Sequence, residues 1–532
     1  MQTLERVSAI LFLVLVAWAV SPECALGQSM GVLEGTVVDQ QNGEPLPGAN
    51  VVLRTAPDAS AYAGVTTSVD GTFRMEDIES GSYVLEVSFV GYQRNRTNVS
   101  VQPNDENRVT IQLALESQSL EQVVVSASRR QEKILDAPAS ISVVAREDVE
   151  QQVTTSPVGA VRDAMSVDVA RTGVNSREIV LRGFNNAFSG DTYVLTDYRE
   201  AAVPGLDANL FAIMPLPSVD VERVEVVRGP GSALYGPGVA NGVVHFFSRD
   251  PFEDPSVTVS AIGGTRAYAG AEMRAAGFVD DFGFKVTGRY ARADEWMLDP
   301  DDPQDAAEIE DYRIYSDRSD VPAGRRTFVS DFNGDGSADF RLRREKDHRS
   351  MSTSGLIEWR PSSDTRVALD GGYSGAKSVV QSGIGTIQSD MYGYRYGQLR
   401  VRQGGFFGQV YYNALDSGAN SYVYGSGDEL FDESFKWNGQ LQYNTPVPSL
   451  AADLTVGIDA DLVRPRTGGT VTGRFEGRDA INQYGTYAQA TFSLGEKVDL
   501  TAALRGDYNN VTEQLRGSPR GALVYRFAPG NS

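Results

Sequence analysis

From residue 256 onward, apolar and polar residues alternate in runs too long for ordinary soluble strands. In "FGFKVTGRYARADEW", Phe282, Phe284, Val286, Gly288 and Tyr290 fall on one side of an extended chain, and Lys285, Thr287 and Arg289 on the other. This is the period of a strand with one apolar and one polar face. The pattern returns in "SMSTSGLIEWRPSSDTRVALDGGY", "KWNGQLQYNTPVPSLAADLTVGIDADL" and "YGTYAQATFSLGEKVDLTAALRGDY". Short turns (Asp280-Asp281, "PSSDT", "LGEK") alternate with long polar connections. Together they predict an antiparallel transmembrane β-barrel over residues 252–532, with on the order of eleven strands. A soluble sandwich is the alternative, with shorter strands and no exposed aromatic ends.

Upstream the periods are shorter. Residues 28–115 read as a β-sandwich, in which runs such as "LEGTVVD", "ANVVLRT" and "GSYVLEVSFVGYQ" are separated by Asn42-Gly43, Asp70-Gly71 and a loop holding Pro45 and Pro47. Residues 131–251 mix helical stretches ("REDVEQQ", "SPVGAVRDAM") with strands ("REIVLRGF", "DTYVLTD", "VERVEVVRGP"), which predicts an α+β domain. Between them lies a linker, residues 116–130. It carries one strand-like run, Val123, Val124 and Val125, whose β-branched side chains favour pairing although neither polar flank offers an obvious partner. The expected fold is mainly β throughout.

Composition narrows the chemistry. With 54 Gly and 41% hydrophobic residues the 532-residue chain leans away from helices, and its net charge of -22 excludes nucleic acid as a partner. Residues 1–27 read as an export signal: Arg6, an apolar stretch at residues 9–20, and "ALG" before Gln28. Cys24, the sole cysteine, lies inside it, so the processed chain has no disulfide; a lipid anchor on Cys24 is the competing reading. No later run of about 18 apolar residues predicts a membrane helix. The two histidines, His245 and His348, stand in no ligand-spaced cluster, so no catalytic metal centre, catalytic residue or required cofactor is assigned.

Three stretches carry a resemblance. "GTVVDQQNGEPLPGANVVL" with "TSVDGTFRMEDIESGSYVLEVSFVGYQ" resembles the carboxypeptidase regulatory-like domain, a transthyretin-like sandwich. "IVLRGF" and "VERVEVVRGPGSALYGPGVANGVVHFFSRDP" resemble the plug of TonB-dependent outer-membrane receptors, and "EQVVVSASR" resembles the TonB box ahead of it. "LTDYRE" and "ANGVVHFFS" depart from the family's usual turn and last plug strand. The resemblance implies a barrel of about twenty-two strands, so the chain reads as a truncated receptor that stops after a hairpin, "SPRGALVYRFAPGNS".

What the resemblance implies for function is ligand-gated, energy-coupled import of a scarce nutrient (siderophore, vitamin, glycan or peptide) across the cell outer membrane, with the N-terminal domain in the periplasm. A surface binding protein or passive pore without coupling is the alternative. The implied partners are TonB with ExbB/ExbD, outer-membrane lipid and a small nutrient ligand. TonB would add its sheet edge to Glu121, Gln122, Val123, Val124, Val125 and Ser126, unless these residues are an ordinary linker. Arg182, Glu222, Arg223, Glu225 and Arg228 would form ion pairs between plug and barrel wall, or face water in the lumen. Gly183, Gly229 and Gly236 would supply plug turns. The ligand would meet residues 184–189 and 201–210.

A separate candidate is "DFNGDGSAD", where Asp331, Asn333, Asp335, Ser337 and Asp339 alternate around two glycines, so that several oxygens can converge on calcium in an outer loop. Leu342 stands where an EF-hand has its bidentate Glu, and a plain polar loop is the alternative reading. The acidic run at residues 294–312 reads as a solvated face, with a cation or substrate role as the alternative.

Overall fold

A computed structural model describes residues 30–40, 43–55, 61–89, 92, 95–102, 106–113, 123–124, 132–133, 137, 139–152, 156–182, 192–229, 231–236, 238–303, 305–306, 326–328, 340–342, 345–382, 385–417, 419–423, 429–472, 476–495 and 497–527. The chain divides after Leu120 into two compact units.

The first unit is the expected sandwich. One sheet runs Thr72–Glu79, Met30–Asp39, Glu106–Leu113, and the other Ala61–Thr66, Asn50–Arg54, Gly81–Ser88, Asn95–Val101. Alternate residues of both sheets, including Leu33, Val37, Val51, Leu53, Leu85 and Leu113, meet in one core. The strand Asn95–Val101 escapes the apolar pattern because it lies on a sheet edge and reads "NRTNVSV", with mostly polar side chains.

In the second unit the α+β domain is a five-stranded mixed sheet, ordered Ser140–Ala145, Val221–Arg228, Gly242–Ser248, Thr192–Thr196, Arg199–Glu200. Val221–Arg228 is antiparallel to both neighbours, while Gly242–Ser248 runs parallel to Thr192–Thr196. The helix Arg146–Gln151 buries Val149 beneath it. "SPVGAVRDAM" forms a 3-10 helix, Pro157–Asp163, whose first turn is capped by Ser156 accepting from the Val158 amide. Val144, Val161, Val194, Phe211, Val224, Val226 and Phe246 form the core of this domain.

The barrel segment is a 13-stranded antiparallel sheet. It follows chain order through Val257–Gly263, Ala269–Val279, Phe282–Asp294, Asp347–Ser362, Thr365–Ser382, Gly385–Gln403, Phe406–Asp416, Phe435–Val447, Ala452–Arg464, Ile481–Ser493, Val498–Asn509 and Gln514–Tyr525, with Ala419–Val423 paired to Gly385–Gln403 off this path. The first and last of the row are its edges. Its facing follows the alternation. Phe282, Phe284, Val286 and Tyr290 lie outward, each about half exposed, while Lys285, Thr287 and Arg289 are buried on the inner face. A wall that meets lipid outside and polar groups inside needs this arrangement. Among the described residues no helix is long and apolar enough to cross a membrane.

Candidate functional site between the inner domain and the wall

The inner face of the wall is polar, and the α+β domain is held to it by buried charges. Asp220, at the start of Val221–Arg228, meets two successive wall strands. Its Oδ1 lies 2.9 Å from Arg274 Nε, and its Oδ2 lies 2.9 Å from Lys285 Nζ. Lys285 also donates to the Arg249 carbonyl at 2.8 Å, and Arg274 to the Asp254 carbonyl at 2.9 Å. Burial raises the Asp220 carboxyl above its ordinary range, against the pull of Lys285 and Arg274. The paired geometry matters because a buried charge without partners is costly.

A second anchor lies across the sheet. Glu200 is buried against Lys436, which also reaches Asp461 at 3.0 Å. Burial pushes the Glu200 carboxyl up to about 7 despite Lys436. Its neighbour Arg199, fully buried, lies 3.6 Å over the Tyr396 ring.

The two-residue turn between Thr192–Thr196 and Arg199–Glu200 is the "LTDYRE" departure. Asp197 and Tyr198 both take left-handed φ, 46° and 71°, the primed hairpin geometry that usually selects Asn-Gly. Contacts hold this unfavourable conformation. The Tyr198 amide donates to His245 Nε2 at 3.0 Å, so that nitrogen carries no proton, and the Tyr198 ring packs edge-on to His245. The Asp197 carbonyl accepts from Gln398 and Arg400 at 3.0 and 3.1 Å, and the Tyr198 carbonyl accepts from Gln409 at 3.1 Å. These glutamines begin a chain of neutral groups around the wall. Gln398 donates to Gln409, Gln409 to Gln440, Gln440 to the Tyr487 hydroxyl, and Tyr487 to Gln442.

The sequence-assigned charges behave differently from expectation. Arg223 pairs with Glu225 at 2.8 Å along its own strand, and Arg228 donates to the Met165 carbonyl and Ser140 hydroxyl of the same domain. Arg182 is exposed, with its guanidinium beside Gly229, and Glu222 lines a charged recess with Arg223, Arg249 and Arg402. The wall contacts include Asp220, Glu200, Arg199, the Asp197-Tyr198 turn and Asn175, whose amide lies 2.9 Å from His348 Nε2 and donates to Ser350 at 3.2 Å. Gly229 and Gly236 take φ of 100° and 102°, where a side chain is disfavoured, whereas Gly183 lies outside the described residues.

Val123–Val124 is a strand, but its partner is in this chain. It pairs antiparallel with Glu132–Lys133, Val123 opposite Lys133 and Val124 opposite Glu132, which corrects the expectation that the flanks offer none. Closing so short a loop costs little entropy. Glu121, Gln122, Val125 and Ser126 lie outside the described residues, as do Asp331, Asn333, Asp335, Ser337, Asp339 and residues 184–189. Among the described residues no group of three or more His, Cys, Asp or Glu side chains is placed to hold a metal.

On the side of the long connections, a cavity of about 380 Å³ opens between plug-side residues Leu206, Leu210, Phe211 and Ile213 and the wall residues Val380, Ile387, Tyr392 and Leu430. The segment 201–210 expected to meet ligand contributes part of this lining.

Comparison with known proteins follows the same division. A family described as the CarboxypepD_reg-like domain matches residues 33–125, the TonB-dependent Receptor Plug Domain matches residues 133–243, and the TonB dependent receptor-like beta-barrel matches residues 298–532. A vitamin B12 transporter of Vibrio vulnificus is 28% identical over 190 residues, covering 32% of this chain and 30% of the relative. A ferrioxamine B receptor of Salmonella typhimurium is 32% identical over 149 residues, covering 28% and 20%. The chain therefore matches less than a third of the length of these relatives. The ferric enterobactin receptor of Pseudomonas aeruginosa shares the fold with a TM-score of 0.51 at 17% identity, over 76% of this chain and 61% of that structure.

Proposed function

Since the chain belongs to the TonB-dependent receptors, with a carboxypeptidase regulatory-like domain ahead of its plug, we propose that it serves in ligand-gated, energy-coupled import of a small scarce nutrient across the outer membrane. Proteins of this family are transporters and receptors rather than enzymes. The observation that carries the reading is the buried attachment of the plug sheet to the wall through Asp220. In this reading the sandwich lies in the periplasm, and TonB with ExbB/ExbD engages the segment around Val123–Val124 by strand addition, displacing Glu132–Lys133. Vitamin B12 and ferrioxamine B, named for the relatives, are the first ligands to test. Calcium at Asp331, Asn333, Asp335, Ser337 and Asp339 would brace an outer loop, and a titration at millimolar calcium with no binding removes that part.

The test is uptake by cells carrying the receptor, before and after collapse of the proton-motive force. Loss of uptake is expected. Uptake that persists favours the alternative, a surface binding protein or passive pore.

A further inference from the structure

We infer that His245 is a proton-released catch for the hairpin turn Asp197-Tyr198, so that acidification frees the plug's grip on the wall at Tyr198. The inference rests on the receptor reading for its consequence, since it gives the plug a release condition that needs no pull.

The geometry fixes which form of the ring holds the turn. A backbone N–H can only donate, so the 3.0 Å contact from the Tyr198 amide makes His245 Nε2 an acceptor and leaves the ring's single proton on Nδ1. A second proton turns Nε2 into a donor that faces a donor. The bond is then lost, and the fully buried ring becomes a cation.

The two halves of the turn are held differently. The Asp197 amide donates to the Phe246 carbonyl at 3.0 Å, and its carboxylate accepts from the amide and hydroxyl of Ser248 at 3.1 and 2.6 Å. The Tyr198 amide has given its one proton to His245, although a bulky residue at φ 71° is disfavoured. Tyr198 also carries wall contacts at both ends. Its carbonyl accepts from Gln409 and its hydroxyl from Arg402, each at 3.1 Å, and its ring packs on Phe407. "LTDYRE" and "ANGVVHFFS", the two stretches that depart from the family's usual form, thus meet at this one bond.

The charges around the ring have both signs, so neither form is locked. Glu225 lies opposite His245 in the sheet and is bonded to Arg223 at 2.8 Å, while the other strand neighbour, Leu195, is neutral. Asp197 faces it from the turn, and Arg400 and Arg402 flank the Tyr198 ring from the wall. Burial opposes ionisation of Asp197, but Arg400, Lys285 and the Ser248 bonds hold its carboxyl below the ordinary range, so it stays charged in mild acid. Tyr198 and Phe247, which pack on His245, line a recess of about 260 Å³ that gives a proton a short way in.

The test is hydrogen exchange at the Tyr198 amide in the full chain in detergent micelles, with rates corrected for the intrinsic effect of pH. Protection is expected to fall about tenfold between pH 7.5 and 5, the direction opposite to Glu200, whose neutral buried form acid favours. His245→Gln offers an oxygen that accepts without taking a proton, and its protection should stay within about threefold of the native pH 7.5 value at both pH values. His245→Phe offers no acceptor and should be poorly protected at both. Native protection that stays constant or rises in acid overturns the inference, and so does a His245→Gln variant that loses protection as the native chain does. If neither variant folds, imidazole nitrogen shifts of the native chain, which has two histidines, carry the test. A His245 ring that keeps a single proton at pH 5 overturns the inference. Uptake independent of the proton-motive force would instead sink the receptor reading and leave these exchange rates unchanged.

Discussion

Asp220 of the plug and Arg274 of the wall meet at 2.9 Å, and both side chains are sealed from solvent. Lys285 completes the cluster on the next strand. Removing the carboxylate by Asp220→Ala takes the salt-bridge partner from buried Lys285 and leaves buried Arg274 with Asp254 alone, an expected loss of about 3–5 kcal/mol. Hydrogen exchange of the amides in Val221–Arg228 should rise sharply. Unchanged protection would mean that the cluster does not hold the plug.

Glu200 makes the attachment depend on pH. Its folded pKa of about 7 lies above the ordinary 4.5, so folding takes up protons between these values. Stability from this group is fully present below about pH 4.5 and is lost as pH rises through 7. The urea midpoint of the native chain, compared with that of Glu200→Gln, should fall between pH 5 and 8 and be level above. A constant difference across that range would refute the assignment.

Gly205 lies on the plug loop beside Asp432 and Ser434. A Cβ there would fall 2.7 Å from both Asp432 Oδ2 and Ser434 Oγ, nearer than packed atoms allow. Gly205→Ala should therefore displace the loop and cost about 1–3 kcal/mol, visible as a lowered thermal midpoint. A midpoint equal to that of the parent would show that the loop yields freely.

Val124→Pro removes one backbone N–H and fixes φ in the segment assigned to strand addition. Uptake should be lost while ligand binding to whole cells stays within about twofold. Normal uptake by this variant excludes the segment as the coupling site.

The wall was readable in the sequence because its signal is local. Phe282 and Lys285 declare their faces through neighbours one and two residues away, and the structure keeps those faces. The plug strands were readable for the same reason. The partners of the charges were not. Arg223 and Glu225 sit two apart on one strand and so share a face, which lets them pair with each other before any wall residue is needed. Glu200 finds Lys436 at a separation of 236 residues, and no local pattern encodes that.

The glutamine chain around the wall has a mechanical consequence. Gln398 and Gln409 hold the carbonyls of Asp197 and Tyr198 through neutral bonds, each worth about 1 kcal/mol, and each is also bonded to the next amide of the chain. Asp220 differs, because withdrawing it takes the salt-bridge carboxylate from Lys285 and leaves Arg274 with Asp254 alone, 3.7 Å away. The plug is thus fastened to the wall in two ways, by neutral bonds at the Asp197-Tyr198 turn and by buried ion pairs at Asp220 and Glu200.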